Sequence, residues 1–342
     1  MKILSLIVPS YNSEGFLDTC IPSFLHPDVV EALDIIIVND GSVDNTVSVA
    51  EAYCKKYPNS VRLINQENKG HGGALNTGCA AAVGKYLKVI DADDWVETEN
   101  LPAFVNFLRG CESDVVLSHH YTVDISTKEI KKWKSYPETF EKAYTFDEIM
   151  PQWKNFDRSL TFHGITYNTA FYHKHNFRLS EHVFYEDHEF ATFPCCHARG
   201  ITPVDLFIYD YRIGDVQQSV SDSNQLKRLG HTETVLRRLV SEYHKLSADC
   251  PGKAYVQMKA QGLLLSYLTT VMLVEPKRRA GRAQGKSMMA FFREELPETY
   301  ELAGKQYRIF RLMNLLGVRK KGFEKLLRSK LYKRLRSSHD FD

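Results

Sequence analysis

Three aspartates stand close together directly after an apolar run of the chain. Asp91, Asp93 and Asp94 follow Tyr86–Ile90, which is typical of a buried β-strand. Carboxylates crowded at the end of a sheet repel one another and resist ionisation. A divalent cation that prefers oxygen ligands, Mg²⁺ or Mn²⁺, removes that cost. Alternatively, one aspartate caps the next helical turn, and spacing alone leaves both interpretations open.

A fourth carboxylate, Asp40, follows a second apolar run, Asp34–Val38. Its oxygens could accept a hydrogen bond from the imide N–H of uracil or from a ribose hydroxyl. Asp40 and the glycine after it are also a common turn pair, but we favour the ligand role. The segment Pro9–Asn12 ends the first apolar run, and Tyr11 within it could lie against the face of a base.

A glycine-rich turn spans Asn68–Gly73 and opens a predicted helix. Its backbone N–H groups and Lys69 could meet a phosphate or a base. A lone glycine cluster is nevertheless more often only a turn, and these residues do not follow the phosphate-loop pattern.

Two further places hold charged residues suited to catalysis. Glu186 and Asp187 lie between Phe184 and Phe190, and an apolar setting would raise a carboxyl pKa toward that of a general base. On pattern alone, a solvated helix N-terminus rich in acids is the more common arrangement. Arg212 could clamp a phosphate with its planar guanidinium, although an arginine at a strand end more often forms a surface ion pair.

The elements that must position these residues alternate between strand and helix. Apolar runs predict strands at Ile3–Val8, Asp34–Val38, Val61–Asn65, Tyr86–Ile90, Val115–His119 and Leu206–Tyr211. Helical spacing predicts helices at Glu14–Leu25, Thr46–Tyr57, Gly73–Val83, Lys227–Leu246 and Ala254–Val274. This order predicts an α/β fold with a mostly parallel, Rossmann-like sheet flanked by helices, followed by a C-terminal helical extension. Ligands of such sheets bind beyond the carboxyl ends of the strands, where the polar clusters fall.

Five segments, taken in order along the chain, form a recognisable combination: Pro9-x-Tyr11-Asn12, Val38–Thr46, Asn68-x-Gly70, Asp91–Asp94 and Glu186-Asp187. Each motif alone is weak, but jointly they are highly specific. The combination resembles family 2 glycosyltransferases of the GT-A fold, and the resemblance covers roughly residues 3–215. It implies an inverting transfer of a sugar from a nucleotide-diphosphate sugar to an acceptor hydroxyl.

The resemblance also implies a role for each site residue. Asp40 would bind the nucleoside base, Asp91 the ribose or the metal, and Asp93 the Mg²⁺ or Mn²⁺ ion. Asp187 would act as the general base. The remaining candidates are donor-binding, namely Pro9, Tyr11, Asn12, Lys69 and Arg212, or serve as support or acceptor contacts, namely Asp94, Glu186 and His163.

Two segments depart from the family pattern. Ala74–Asn76 stands where members often carry Ala-Arg-Asn, so a cationic contact to the donor would have to come from Lys69 or His71. His163–Tyr167 stands where a Trp-x-Lys-like acceptor segment is common. Both departures leave the reaction class intact and leave the sugar and the acceptor open.

The composition is that of a soluble globular protein, with 43% apolar and 25% charged residues. We expect a catalytic domain over residues 1–220, divided into a nucleotide-binding half (1–110) and an acceptor half (111–220), and a helical extension over 221–342. Seven cysteines without a CxxC pair indicate reduced thiols. The sequence shows no secretory signal and no apolar run long enough to span a bilayer, so we expect a cytoplasmic protein.

The C-terminal segment 307–338 contains eleven Lys or Arg residues and a single acidic one, with apolar residues at helical spacing. Such a basic amphipathic segment could lie on the anionic inner face of a membrane, which fits an enzyme that extends glycans or lipid-linked glycans. It could equally pack on the protein with a solvated basic face. No nucleic-acid-reading module accompanies the charge, so we expect no nucleic-acid partner.

Two other functions remain open from the sequence. A sugar-phosphate nucleotidylyltransferase shares the sheet and a metal site, but usually opens with a glycine-rich phosphate loop where this chain has Pro9–Asn12. A non-catalytic glycosyltransferase-like partner subunit would use the tail as a tether. The presence of all the acidic positions argues against that hypothesis.

Overall fold

A nine-stranded sheet runs through the first part of the computed structural model, which describes residues 1–214 and 222–328. Its strands in chain order are β1 (Leu4–Ser10), β2 (Leu33–Asp40), β3 (Val61–Gln66), β4 (Tyr86–Val89), β5 (Trp95–Val96), β6 (Val115–Asp124), β7 (Ile130–Trp133), β8 (Ile165–Asn168) and β9 (Ile201–Ile213). In space they follow the order β3-β2-β1-β4-β8-β6-β9-β5, and β7 pairs with β6. The predicted α/β class is confirmed.

The four strands β3, β2, β1 and β4 are parallel, and every residue of β1, β2 and β4 is buried. Strands buried on both faces are continuous apolar runs, which is why the sequence predicts them well. The other half of the sheet is mixed. β6 and β9 are parallel, whereas β8 runs antiparallel to β4 and β6, and β5 and β7 add antiparallel edges.

Helices cover the sheet and form the C-terminal part. Those up to residue 192 are α1 (Leu17–Ser23), α2 (Thr46–Lys56), α3 (Gly70–Ala81), α4 (Leu101–Gly110), α5 (Phe146–Ile149), α6 (Thr169–His175) and α7 (Asp187–Thr192). The later ones are α8 (Asp222–Lys227), α9 (Leu229–Lys245), α10 (Gly252–Thr269) with a π-helical turn (Thr270–Val274), α11 (Arg278–Glu295), α12 (Pro297–Leu315) and α13 (Lys320–Arg328). Short 3₁₀ turns lie at Val30–Ala32, Thr98–Asn100, Met150–Asn155 and Cys195–His197.

The described residues fall into two compact units. One comprises 1–214 and 244–256, and contains the sheet; the other comprises 222–243 and 257–328, and is helical. The predicted domain boundary at residue 220 stays a prediction. Of the basic tail, residues 329–342 lie outside the described residues.

Strand register places the polar clusters of the first unit at one edge of the sheet. Ser10 at the end of β1 pairs with Asn39 in β2, and Asp40 pairs with Gln66 at the end of β3. β4 runs alongside β1 and ends at Val89, opposite Ile7. The segments that follow β1, β2 and β4 therefore leave the sheet side by side.

Candidate active site

The acidic turn Asp91–Asp94 follows β4, and one carboxylate oxygen from each aspartate lies within 4.8 Å of the others. Asp94 is 1% exposed. Its Oδ2 accepts a hydrogen bond from the Tyr209 hydroxyl at 2.5 Å, and its Oδ1 accepts one from the backbone N–H of Arg212 at 2.7 Å. Both oxygens of Asp94 thus accept hydrogen bonds from protein donors, whereas Asp91 and Asp93 are partly exposed to solvent.

The crowding of these carboxylates has an electrostatic signature. Burial, followed by the charge of Asp91, raises the pKa of Asp93 to about 6. Burial and the two neighbouring carboxylates raise the pKa of Asp94 well above its ordinary value. The guanidinium of Arg212 partly offsets this charge, with Nη1 3.9 Å from Asp93 Oδ2. Anionic oxygen donors that resist ionisation together fit a small divalent cation such as Mg²⁺ or Mn²⁺.

A pocket of about 360 Å³ opens beside the acidic turn, at the ends of β1 and β2. The predicted donor residues Pro9, Tyr11 and Asp40 line it. Tyr11 is 53% exposed and offers a ring face. Asp40 is buried, and its Oδ1 accepts hydrogen bonds from Gln66 Nε2 at 2.6 Å and from the backbone N–H of Lys69 at 2.9 Å. Its Oδ2 accepts no hydrogen bond from another described residue.

Two predicted donor residues are placed differently. The side chain of Asn12 is turned to the next loop, where its Oδ1 accepts a hydrogen bond from the backbone N–H of Val43 at 2.9 Å. Lys69 meets Asp40 through its backbone, and neither Asn12 nor Lys69 lines the pocket. Both residues shape the loops around the pocket.

His71 joins the two acidic clusters of the site. Its Nε2 lies 2.9 Å from Asp91 Oδ1, and its Nδ1 forms a short hydrogen bond with Glu186 Oε1. Burial opposes protonation of the imidazole, but the two carboxylates outweigh it and hold the pKa of His71 well above its ordinary value. The two carboxylates therefore favour the protonated form of His71, which lines the pocket described above. The sequence indicates this role indirectly, because Ala74–Asn76 lacks the arginine that family members often carry and another residue must supply the positive charge.

The glycine-rich turn is explained by a close approach of two chain segments. Gly70 has a φ of +74°, and a Cβ on it would lie 2.9 Å from the backbone nitrogen of His182. A Cβ on Gly72 would lie 2.1 Å from the carbonyl oxygen of Ser180. The start of α3 therefore packs directly on the segment that leads to Glu186 and Asp187.

That segment is held firmly before α7 begins at Asp187. Ser180 donates from its backbone N–H and its hydroxyl to the carboxylate of Glu189, at 2.8 Å each, and Glu189 is fully buried. His182 and Tyr185 adopt positive φ values of 55° and 72°, which non-glycine residues rarely do. Such backbone is held only where the surrounding structure determines it, and it is frequent at functional sites.

His163 lies just before β8 and packs against Tyr209 and Tyr211 of β9. Its ring stacks on Tyr211 at a centroid distance of 4.3 Å, and burial lowers its pKa to about 4, against the opposing charges of Asp91 and Asp187. Its carbonyl oxygen accepts a hydrogen bond at 2.6 Å from the buried Nζ of Lys88. The imidazole is therefore uncharged at neutral pH, and it forms an aromatic cluster with Tyr209 and Tyr211 of β9.

The site therefore gathers most of the predicted residues, together with some that the sequence does not single out. Tyr209 fixes the acidic turn from β9: its hydroxyl also accepts a hydrogen bond from the backbone N–H of Asp91 at 3.2 Å. Lys88 fixes the His163 segment from β4. Both are buried residues of strands. Nothing in the local sequence distinguishes Tyr209 from a packing residue, whereas Lys88 is a single charged residue within an otherwise apolar strand.

A parallel sheet that ends at a pocket and an acidic turn, joined to a mixed half that carries a further acidic pair, is typical of α/β proteins that bind a nucleotide at the carboxyl ends of their strands. The family model described as glycosyl transferase family 2 matches residues 5–186, more than half of the chain. The protein belongs to this family.

Known proteins resemble the chain both in sequence and in fold. A putative glycosyltransferase from Bacillus subtilis, EpsH, is 38% identical over 117 residues, which are 34% of this chain and 33% of that protein. The poly(ribitol-phosphate) beta-glucosyltransferase of Bacillus spizizenii is 35% identical over 119 residues, 34% of this chain and 19% of that protein. The matched stretches thus span a third or less of these relatives.

The crystal structure of residues 1–349 of S. aureus TarS in complex with UDP-GlcNAc has the same fold. It superposes with a TM-score of 0.65 at 19% identity, and the match covers 93% of both chains. The predicted GT-A architecture with a C-terminal helical region is therefore confirmed. Among the described residues, none of the helices combines the length and the apolarity that crossing a membrane requires.

Proposed function

We propose that the protein transfers a sugar from a UDP-sugar to an acceptor hydroxyl with inversion at the anomeric carbon. The observation that carries the proposal is the meeting, at one sheet edge, of the donor pocket, the acidic turn and Asp187. His71 contacts both sides of this arrangement, because it binds Asp91 and Glu186.

The pocket supports the binding of a uridine nucleotide. Tyr11 offers a ring face for the base, and the unoccupied acceptor atom Asp40 Oδ2 suits the imide N–H of uracil or a ribose hydroxyl. Pro9 forms the pocket wall next to them. The complex of TarS with UDP-GlcNAc supports the same donor class for a chain of this fold.

Asp91 and Asp93 would hold a Mg²⁺ or Mn²⁺ ion, while Asp94 and Tyr209 keep their turn in place. Such an ion neutralises charge that develops on the leaving diphosphate. Arg212, whose guanidinium is 3.9 Å from Asp93, is placed to contact the same diphosphate.

Asp187 would serve as the general base. Its carboxylate takes the proton of the acceptor hydroxyl while the acceptor oxygen attacks the anomeric carbon from the side opposite the diphosphate. The new glycosidic bond forms as the bond to the nucleoside diphosphate breaks, so the configuration inverts. Glu186, bound by His71, fixes the backbone next to the base, and His163 lines the acceptor side.

The relatives support one class of acceptor for the proposed reaction. An enzyme that glucosylates poly(ribitol-phosphate) is among them, which supports a role in the synthesis of a cell-surface glycan, with a glycan or lipid-linked glycan as the acceptor. We propose that residues 1–220 form the catalytic domain and that 221–342 form a helical extension. We further propose that the basic tail contacts the anionic inner face of the membrane. Unchanged binding of anionic vesicles after deletion of residues 307–342 would refute this last point.

The catalytic proposal is tested by transfer assays with UDP-sugars and Mn²⁺. Asp187→Asn should lower kcat by about 10²-fold or more while UDP binding is kept, because only the proton acceptor is lost. Asp93→Asn should lose Mn²⁺-dependent UDP binding. Asp28→Asn, a carboxylate whose side chain is 75% exposed, is the matched control and should behave as the native protein. Full transfer activity in Asp187→Asn would overturn the role assigned to that residue.

A further inference from the structure

A long groove lies between α11 and α12, within the helical unit. The two helices form a hairpin, since only Leu296 separates them. Arg282 lies near the start of α11 and Asn314 near the end of α12. Arg282 Nη1 donates a hydrogen bond to Asn314 Oδ1 at 2.6 Å, so the helices run antiparallel side by side. The groove has a volume of about 510 Å³.

Four cations line this groove. α11 contributes Arg282, Lys286 and Arg293, at positions four and seven residues apart, and α12 contributes Arg311. Among the residues that line it, all of them in the described part of the chain, none is an aspartate or glutamate. Lys286, Arg293 and Arg311 are exposed, and none of the three forms an ion pair with another described residue. Cations gathered on one face repel one another, so an anion would stabilise the arrangement.

The shape of the groove suits a chain rather than a flat surface. Residues 282–293 extend over roughly 16 Å at the 1.5 Å rise of a helix. Small side chains, Ala283 and Ala290, lie between the cations. The ring of Tyr307 packs at Gly285, where an added Cβ would be 3.6 Å from Cε2. Packed helices are only about 8–10 Å apart, so the crease between them is narrow.

We propose that this groove binds a linear polyol-phosphate chain, with its phosphodiester groups on the four cations. Arginine presents a planar fork that matches two phosphate oxygens, and the hydroxyls of Tyr300 and Tyr307 can bind the polyol. The inference rests on the proposed function, in which the acceptor is a surface glycan, and it names that acceptor as a phosphate-bearing polymer.

Two other polyanions fit the groove less well. Single-stranded nucleic acid is bound through stacking of its bases on aromatic rings. Both tyrosines here are partly buried, and the ring of Tyr307 is packed at Gly285. A flat membrane surface would contact the outermost charges and leave the groove between the two helices unfilled.

The test is direct binding to the full-length protein at fixed low ionic strength, followed by fluorescence anisotropy. The probe is a fluorescein-labelled glycerol-phosphate hexamer. The double variant Lys286→Gln/Arg293→Gln should raise its Kd by about tenfold or more, since two charged contacts are lost. The matched control Lys305→Gln/Arg308→Gln removes the same charge from exposed positions of α12 outside the groove, and should change Kd less than about twofold.

Four other results would contradict the proposal that the groove binds a polyol-phosphate chain. No binding by the native protein, or equal loss in both double variants, would overturn the proposal. So would equal binding of a six-nucleotide single strand, or a groove variant that loses only the binding of phosphatidylglycerol vesicles. Binding of UDP with Mn²⁺ is measured in parallel. Its absence from the native protein would refute the proposed function, whereas its retention beside an unchanged hexamer Kd would refute the groove alone.

Discussion

Replacement of Gly72 by alanine tests the contact between α3 and the segment that carries the proposed base. The new Cβ would stand 2.1 Å from the carbonyl oxygen of Ser180 and 3.1 Å from Cγ of Glu186. A backbone oxygen at that distance cannot yield by rotation of a side chain, so one of the two segments must move. Overpacking of this kind costs roughly 1–3 kcal/mol.

An alanine elsewhere in a helix has the opposite effect on stability. Gly262 is exposed in α10, and a Cβ there meets nothing within 4 Å. Gly262→Ala should therefore raise the free energy of unfolding by about 0.5–1 kcal/mol, through helix propensity alone. The two variants have the same chemical change and opposite expected signs, and urea unfolding monitored by circular dichroism measures both.

The displacement caused by Gly72→Ala should also lower the rate of sugar transfer. If the segment from Ser180 to Glu186 moves by about 1 Å, Asp187 moves with it, and a misplacement of that size can lower a rate by about 10²-fold. Gly72→Ala should thus lower kcat for sugar transfer, with a smaller effect on the KM of the donor. Gly262→Ala should leave both constants unchanged. Equal stability of the two variants, with full transfer by Gly72→Ala, would refute the reasoning.

Three other predictions address the acidic turn, the buried lysine and the metal. Tyr209→Phe removes the hydroxyl that donates to Asp94 and should lower the free energy of unfolding by roughly 1.5–3 kcal/mol. The control Tyr211→Phe, two residues along β9, should have little effect. Thermal unfolding of the two variants measures the difference. Burial lowers the pKa of Lys88 from 10.5 to about 7, so between pH 7 and 10 the unfolded chain holds a proton that the folded protein has released. The free energy of unfolding of the native protein should therefore rise over this range relative to Lys88→Met, and a flat difference in urea titrations would contradict the assignment. Chelation by EDTA should abolish UDP binding, addition of Mn²⁺ should restore it, and Asp93→Asn should respond to neither, as calorimetry would show.

Three strands of the parallel half could be predicted from the sequence because they are buried on both faces and therefore largely apolar. β1, β2 and β4 are found within two residues of their predicted bounds. β5, β7 and β8 have two to four residues each and pair antiparallel. Strands that short carry too little periodicity to distinguish them from loops.

The sequence predicts where a candidate residue lies when that residue stands at the end of a strand. Asp40 and the Asp91–Asp94 turn are of this kind. His71, Tyr209 and Lys88 bind partners that are remote in the sequence, so local patterns do not predict their contacts. The glycine-rich turn was open between a phosphate contact and a plain turn, because the neighbour that requires Gly72 is the carbonyl of Ser180, 108 positions away.

The hydrogen bond between His71 and Glu186 has a consequence for the order in which parts of the protein fold. It joins residues 115 positions apart, and the bond from Tyr209 to Asp94 spans the same separation. Closing such long loops costs entropy before any contact is made, so we expect these bonds to form after the parallel strands have paired. During synthesis, the acidic turn therefore emerges well before the residues that fix it. The nascent chain would hold an incomplete site until β9 is in place.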